Sequence, residues 1–188
     1  MPGIGSLRQS QFRFRKDDGT ETTASWEAAV DTNISKAKNR GGRLRIESKS
    51  EGGSNNLIPQ WQYSHRSADD AIITPFTNIT TTSLYIQAVA GSVADGTATT
   101  EQLAGSGTFF PGEISTDGLS PAVGLTGGND TEHELVYRLV AGDLQVGEKI
   151  DIRLSNAGVA YSTYTVTPRI TVTDPVDDGG LLLTQVGS

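Results

Sequence analysis

Between Gln11 and Trp26 the chain reads QFRFRKDDGTETTASW, and the strict alternation of Phe12 and Phe14 with Arg13 and Arg15 leaves it few ways to fold. Successive side chains of a strand point to opposite faces, so the phenylalanines share one side and the arginines the other. One side buries, and the other meets something charged. Asp18-Gly19 then supplies a turn, because glycine takes a positive φ without steric cost. The alternation returns at Arg43 to Lys49, where Leu44 and Ile46 oppose Arg43, Arg45 and Glu47.

Further strand patterns follow. Leu57 to His65 carries Trp61 and Tyr63 on one face, and the Gly/Ser/Asn turn at Glu51 to Asn56 predicts a hairpin between this run and Arg43 to Lys49. Ala71 to Phe76 and Leu84 to Ala90 are apolar and β-branched enough for strands. Periodicity does not decide between strand, helical turn and irregular wrap for Glu21 to Val30. Gly91 to Gly128 is loop-rich, with Phe109-Phe110 as its apolar anchor and strand expected around Gly107 to Ile114. Three final strands are expected at Glu134 to Val140, Lys149 to Leu154 and Tyr161 to Val172. The connector Ala141 to Glu148, plugged by Leu144 and Val146, is of the kind that crosses between sheets. Pro168 cannot donate to a ladder, which predicts an edge or a bulge in the last strand.

About eight strands without a long helix predict an all-β fold, an antiparallel two-sheet β-sandwich of immunoglobulin-like or jelly-roll type. Its expected extent is residues 11–173. Residues 1–10 read as a flexible N-terminal arm, and residues 174–188 as an acidic linker ending in an apolar tail at Leu181, Leu182, Leu183 and Val186. Each buried leucine there contributes on the order of 2 kcal/mol, so the tail reads as a docking peg, with a frayed terminus or one more strand folded back as the plainer alternatives.

Twenty-two glycines and no cysteine among 188 residues fit this class and exclude disulfides, thiol nucleophiles and thiolate metal sites. Neither a signal-like N-terminus nor a membrane-length apolar run is present, so a soluble chain not exported by a Sec-type signal is expected. Charge is uneven. Residues 1–50 hold ten Lys and Arg against six acidic residues, and the remainder holds five against sixteen. A basic front on an acidic body suggests docking by charge complementarity, with solvated strand faces as the plainer alternative. Nucleic acid is not the expected partner of a chain with pI near 4.8.

Reactive chemistry is hard to find. His65 and His133 have no metal-type spacing, and the Glu132-His133-Glu134 triplet reads as solvated surface because neighbours on a strand face opposite ways. Ser106 in AGSGT lacks a nucleophile-elbow spacing, and Gly105 and Gly107 match no phosphate-loop pattern. A calcium site near Asp117, Asn129, Asp130 and Glu132 is conceivable from ligand type alone. No catalytic, cofactor-binding or metal residues are assigned, and no enzyme is expected.

The FRFRKDDGTETTASW stretch with GGRLRIES at Gly41 to Ser48 resembles a segment of structural proteins of tailed-bacteriophage virions. DGTATTEQLAGSGTFFPGEISTDG at Asp95 to Gly118 is similar to the middle of that family. Asn129 to Gly158 and YSTYTVTPRITV at Tyr161 to Val172 look like its C-terminal half. The resemblance covers most of residues 10–173 and implies a virion component made in the host cytoplasm. A short chain with arms, an acidic exterior and no coiled coil then suggests a capsid decoration or cement protein. It would sit on the outer head surface, as a homotrimer contacting the major capsid protein and its own copies, with no membrane partner. A tail, baseplate or fibre appendage is the first alternative. A carbohydrate-binding adhesion module stacking sugars on Trp26, Trp61 and Tyr63 is the second. In the preferred mechanism Arg13, Arg15, Arg43 and Arg45 present a basic face to acidic partner residues, with Leu181, Leu182 and Leu183 as a second contact.

Overall fold

The alternating strands assemble around one apolar layer. The computed structural model describes residues 5–174. In chain order the strands are β1 (Ser6–Arg15), β2 (Ile34–Ala37), β3 (Gly41–Glu51), β4 (Asn55–Leu57), β5 (Pro59–Arg66), β6 (Ile72–Asn78), β7 (Ile86–Ala88), β8 (Phe109–Ser115), β9 (Val123–Leu125), β10 (Asp130–Leu139), β11 (Lys149–Asn156), β12 (Val159–Ala160), β13 (Thr163–Tyr164) and β14 (Arg169–Thr173). No helix occurs among the described residues.

The first sheet runs β13, β1, β3, β10, β7, with β8 also paired to β10. The second runs β2, β14, β11, β5, β6, with β12 on β11, and β4 and β9 form a small ribbon. Phe12, Phe14, Leu44, Ile46, Leu135 and Tyr137 from the first sheet meet Trp61, Tyr63, Ile150, Ile152, Leu154 and Ile170 from the second in one buried cluster. The two-sheet sandwich expected from the alternation is therefore present. Most pairings are antiparallel, but β1 with β13, β8 with β10 and β2 with β14 run parallel.

Several local expectations are corrected. The runs at β3 and β5 do not form a hairpin: they lie in different sheets, because the turn after Glu51 feeds β4 and carries the chain across the core. Residues 6–10, expected in the arm, are paired strand, with Ser6 opposite Glu51. The last run is two strands in two sheets. β13 sits on β1, the chain breaks at buried Pro168, and β14 lies between β2 and β11 rather than at an edge. Proline lacks an N–H, and here its carbonyl accepts the Ile152 N–H at 2.9 Å, so the break is anchored through its acceptor. Phe109 and Phe110 do not anchor the long loop. Leu103, Ile114 and Leu125 do, all buried.

The connector from β10 to β11 does cross between sheets, with Leu144 buried in the core and Val146 left exposed. Phe14 is central to the packing, meeting Phe12 and Tyr137 edge-on at 5.7 and 6.4 Å between ring centroids. Phe14→Ala is expected to lower stability by about 3–5 kcal/mol, read as a lower urea midpoint with an unchanged slope.

Candidate functional site: an ion-paired layer outside the first sheet

Cross-strand register determines what lies behind the phenylalanines. Arg13 pairs with Arg45, which pairs with Glu134, and Arg15 pairs with Arg43. Directly opposed residues share a face, so these side chains gather on the side of the first sheet away from the apolar core. That face is not exterior. Residues 17–28 and 92–107 fold across it, and Arg15, Arg43 and Arg45 have no solvent exposure at all (0%). The expectation that they form an outward basic surface is corrected: their acidic partners belong to the same chain. Arg13 alone of the four is half-buried, stacked on Trp26 and donating to the Ala28 carbonyl at 2.8 Å. Leu181, Leu182 and Leu183 lie outside the described residues.

Glu134, itself fully buried, is shared by all three buried arginines. Its Oε2 accepts from Arg45 Nε at 2.7 Å and Arg15 Nη1 at 3.2 Å, and its Oε1 accepts from Arg43 Nη1 at 3.1 Å. Arg45 continues to Glu132 at 3.0 Å and Glu21 at 2.6 Å, so three guanidiniums face three carboxylates. Balance of this kind is what makes burial of charge tolerable. Burial opposes the Arg45 charge, but Glu134, Glu21 and Glu132 outweigh it and raise its pKa. For Arg15 burial prevails and lowers the value.

The same groups hold the covering loops by their backbones. Arg15 donates to the carbonyls of Glu21 (2.7 Å) and Ala24 (3.0 Å), Arg43 to that of Gly19 (2.8 Å) and Arg45 to that of Thr100 (2.8 Å). The carboxylates accept loop N–H groups: Gln102 and Leu103 donate to Glu132 at 2.8 and 2.7 Å, and Thr100 donates to Glu21 at 2.9 Å. Gly107 donates to Asp130 at 2.6 Å, in a place where a Cβ would collide with the Gly128 carbonyl, so only glycine fits. Burial would raise the Glu21 pKa, yet the Thr100 N–H and Arg45 hold it below the usual range. Burial raises Glu132 despite its loop donors, and raises Glu47, where Asp130 and Glu132 reinforce the effect.

The chain bends at residues 17–19, but without the positive-φ glycine turn expected at Asp18-Gly19: Gly19 keeps an ordinary φ, and Asp18 Oδ1 accepts the more distant Ser25 N–H at 2.8 Å. Glu21 to Val30 is irregular wrap, tied back by a bridge between Arg15 and Trp26. Trp26 lies against the guanidiniums of both Arg13 (4.4 Å) and Arg15 (4.3 Å). Trp61 and Tyr63 are buried. None of the three is the open platform that sugar stacking needs.

Glu134 and Glu21 were not anticipated as site residues and Glu132 only as a calcium ligand, and the reading of the 132–134 triplet as solvated surface is corrected, since all three residues are buried. A signal existed: acids at alternate positions of one strand match bases at alternate positions of two others. Asp117, Asn129, Asp130 and Glu132 do not assemble a calcium site. Asp117 serves its own turn, accepting the Leu119 N–H at 2.9 Å, and Glu132 is engaged by Arg45 and the loop. Among the described residues no group of three or more His, Cys, Asp or Glu is arranged to hold a metal ion. No known protein family matches the chain, and no curated protein matches it in sequence.

Two outcomes are expected. Glu134→Gln keeps the shape but leaves three buried guanidiniums without their shared counter-charge. It should cost about 3–5 kcal/mol, and residues 17–28 and 92–107 should lose hydrogen-exchange protection before the sandwich core does. The second concerns His133, whose imidazole burial and the Arg45 charge push down to about 3. The unfolded chain takes up this proton near pH 6.5 and the folded chain does not, so this contribution is present above about pH 6.5 and is lost as pH falls toward 3. Glu47 and Glu132, with raised values, act in the opposite sense. Urea unfolding of His133→Leu against the parent isolates the histidine: the variant should gain relative stability steadily below about pH 6.5.

Proposed function

We propose that this chain is a non-enzymatic structural protein of a tailed-phage virion, serving as a decoration protein on the outer capsid surface. The phage assignment draws on the sequence resemblance over residues 10–173. The passive role draws on how the charged groups are used: the acids and bases of the central layer neutralise one another and brace two loops. A mutually neutralised, closed set of groups makes a stiff body suited to holding neighbours.

One observation carries the contact mode. Ile58, Leu119 and Val159 are 42%, 54% and 70% exposed at the same end of the second sheet. Ile58 and Val159 line one cavity of about 430 Å³, and Leu119 is bridged to Gln60, two residues from Ile58. The supports are short and rigid: Asn156 Oδ1 accepts the Ile58 N–H at 2.8 Å, and the Ile58 carbonyl accepts the Ala157 N–H at 2.8 Å. Apolar residues grouped on a braced rim are what a subunit contact requires. In this reading the apolar end replaces the arginine face as the surface offered to the major capsid protein and to neighbouring copies in a trimer. The apolar tail at Leu181 to Leu183 supplies a second contact.

A tail, baseplate or fibre appendage is the alternative, and copy number separates the two. Quantified in purified particles, hundreds of copies on heads support decoration, and a handful at the tail end overturn it. Ile58→Asp with Val159→Asp should reduce particle occupancy at least tenfold, a loss of about 1.4 kcal/mol, with the unfolding midpoint little changed because both side chains are exposed. Unchanged occupancy would remove this surface from the proposal.

A further inference from the structure

The fifteen Lys and Arg of the chain all lie among the described residues. Arg8, Arg15, Lys36, Lys38, Arg43, Arg45, Lys49, Arg66, Lys149 and Arg169 have carboxylate partners. Arg13 is stacked on Trp26, and Arg153 on Phe76 at 3.9 Å with a bond to Gln62. Lys16, Arg40 and Arg138 remain. All three are exposed, with no carboxylate partner among the described residues, in a chain of net charge −7.

These three are neighbours. Arg138 pairs in register with Gly41, the residue after Arg40, while Lys16 and Arg40 line one cavity of about 330 Å³. Arg40 and Arg138 line the adjoining cavity of about 360 Å³, which Val89, Val136 and Tyr137 also line. The acids nearby are already engaged. Asp17 meets Arg43 Nε at 3.3 Å, and Glu27 meets Lys36 at 2.8 Å. This end of the sandwich therefore has basic rims, and the acids that share its cavities, Asp17 and Glu27, are already paired with Arg43 and Lys36.

The chain's own C-terminal segment leaves from the same place. The Thr173 carbonyl accepts the Lys38 N–H at 3.2 Å, and Asp174 lies 3.9 Å from Lys38. Asp177 and Asp178 follow three and four residues later, then Gly179-Gly180 and Leu181 to Leu183. At 3.3–3.6 Å per residue, those acids reach about 10–14 Å from Asp174, enough to arrive at Arg40 and Arg138. Acids on a short tether match cationic rims.

We infer that the basic end formed by Lys16, Arg40 and Arg138 is the docking site for the acidic segment Asp174 to Asp178 of the same chain. Tethering makes the contact intramolecular, so a few exposed ion pairs suffice to populate it, and salt weakens it. The inference does not depend on the virion assignment.

The absence of cysteine makes the test clean, because Gly180→Cys gives the full-length chain one attachment point for a nitroxide. In the isotope-labelled protein at about 0.01 M salt, the amides of Lys16, Arg40 and Arg138 should lose most of their intensity, and should recover at about 1 M, where screening acts within about 3 Å. R40E/R138E should abolish the broadening without unfolding, since both side chains are exposed. Adding D177R/D178R to that background should restore it. Nitroxide-bearing unlabelled chains mixed with isotope-labelled nitroxide-free chains should give none. Unaffected amides at low salt, broadening that survives the charge reversal, no recovery in the swapped variant, or broadening between copies would each overturn the inference.

Discussion

One carboxylate, Glu134, stands between three guanidiniums in the interior of this protein, and the rest of the first sheet's outer side is arranged around it. Removing an arginine or a glutamate from water is costly, and attraction offsets the cost only where geometry and the remaining hydrogen-bonding groups are satisfied. Here the lattice continues from Glu134 through Arg45 to Glu132 and Glu21, and the terminal guanidinium nitrogens of Arg15, Arg43 and Arg45 also reach loop carbonyls, while Arg15 Nε and Arg43 Nε make no hydrogen bond among the described residues. Charge balance at the centre is what lets backbone segments that form no sheet of their own lie against the sandwich.

The molecule is consequently layered three deep: the second sheet, the first sheet, and the loops that cover it. The middle layer is used on both faces, apolar toward Trp61 and ionic toward Trp26. This double use changes where outside contact can occur. With Arg15, Arg43 and Arg45 consumed internally, surface character passes to the two ends. One displays Ile58, Leu119 and Val159, and the other Lys16, Arg40 and Arg138. A stiff body with chemically distinct ends is consistent with the proposed work of joining subunits.

Much of the sandwich was legible from period-two patterning. Phe12, Phe14, Leu44, Ile46 and Trp61 are all 2% exposed or less, and Leu135, Tyr137, Leu139, Ile150, Ile152 and Leu154 bury as their alternation required. The crossing at Leu144 was legible for the same reason. Strand partnership was less so. β3 and β5 both alternate correctly, and nothing local distinguishes a hairpin from a step across the core. Pro168 announced a break, but whether that break would be an edge or a change of sheet depends on distant β2 and β11.

The chain by itself determined which side chains share a face, because strand geometry alternates regardless of what surrounds it. It also determined that any arginine fully buried on that face would need a carboxylate. Only the tertiary structure decided whose. Arg45 and Glu134 are 89 residues apart, and their meeting follows from the register of β3 against β10, which no local pattern encodes. Whether a charged face is surface or interior depends on what folds over it, and residues 17–28 and 92–107 are held there by side chains from three different strands.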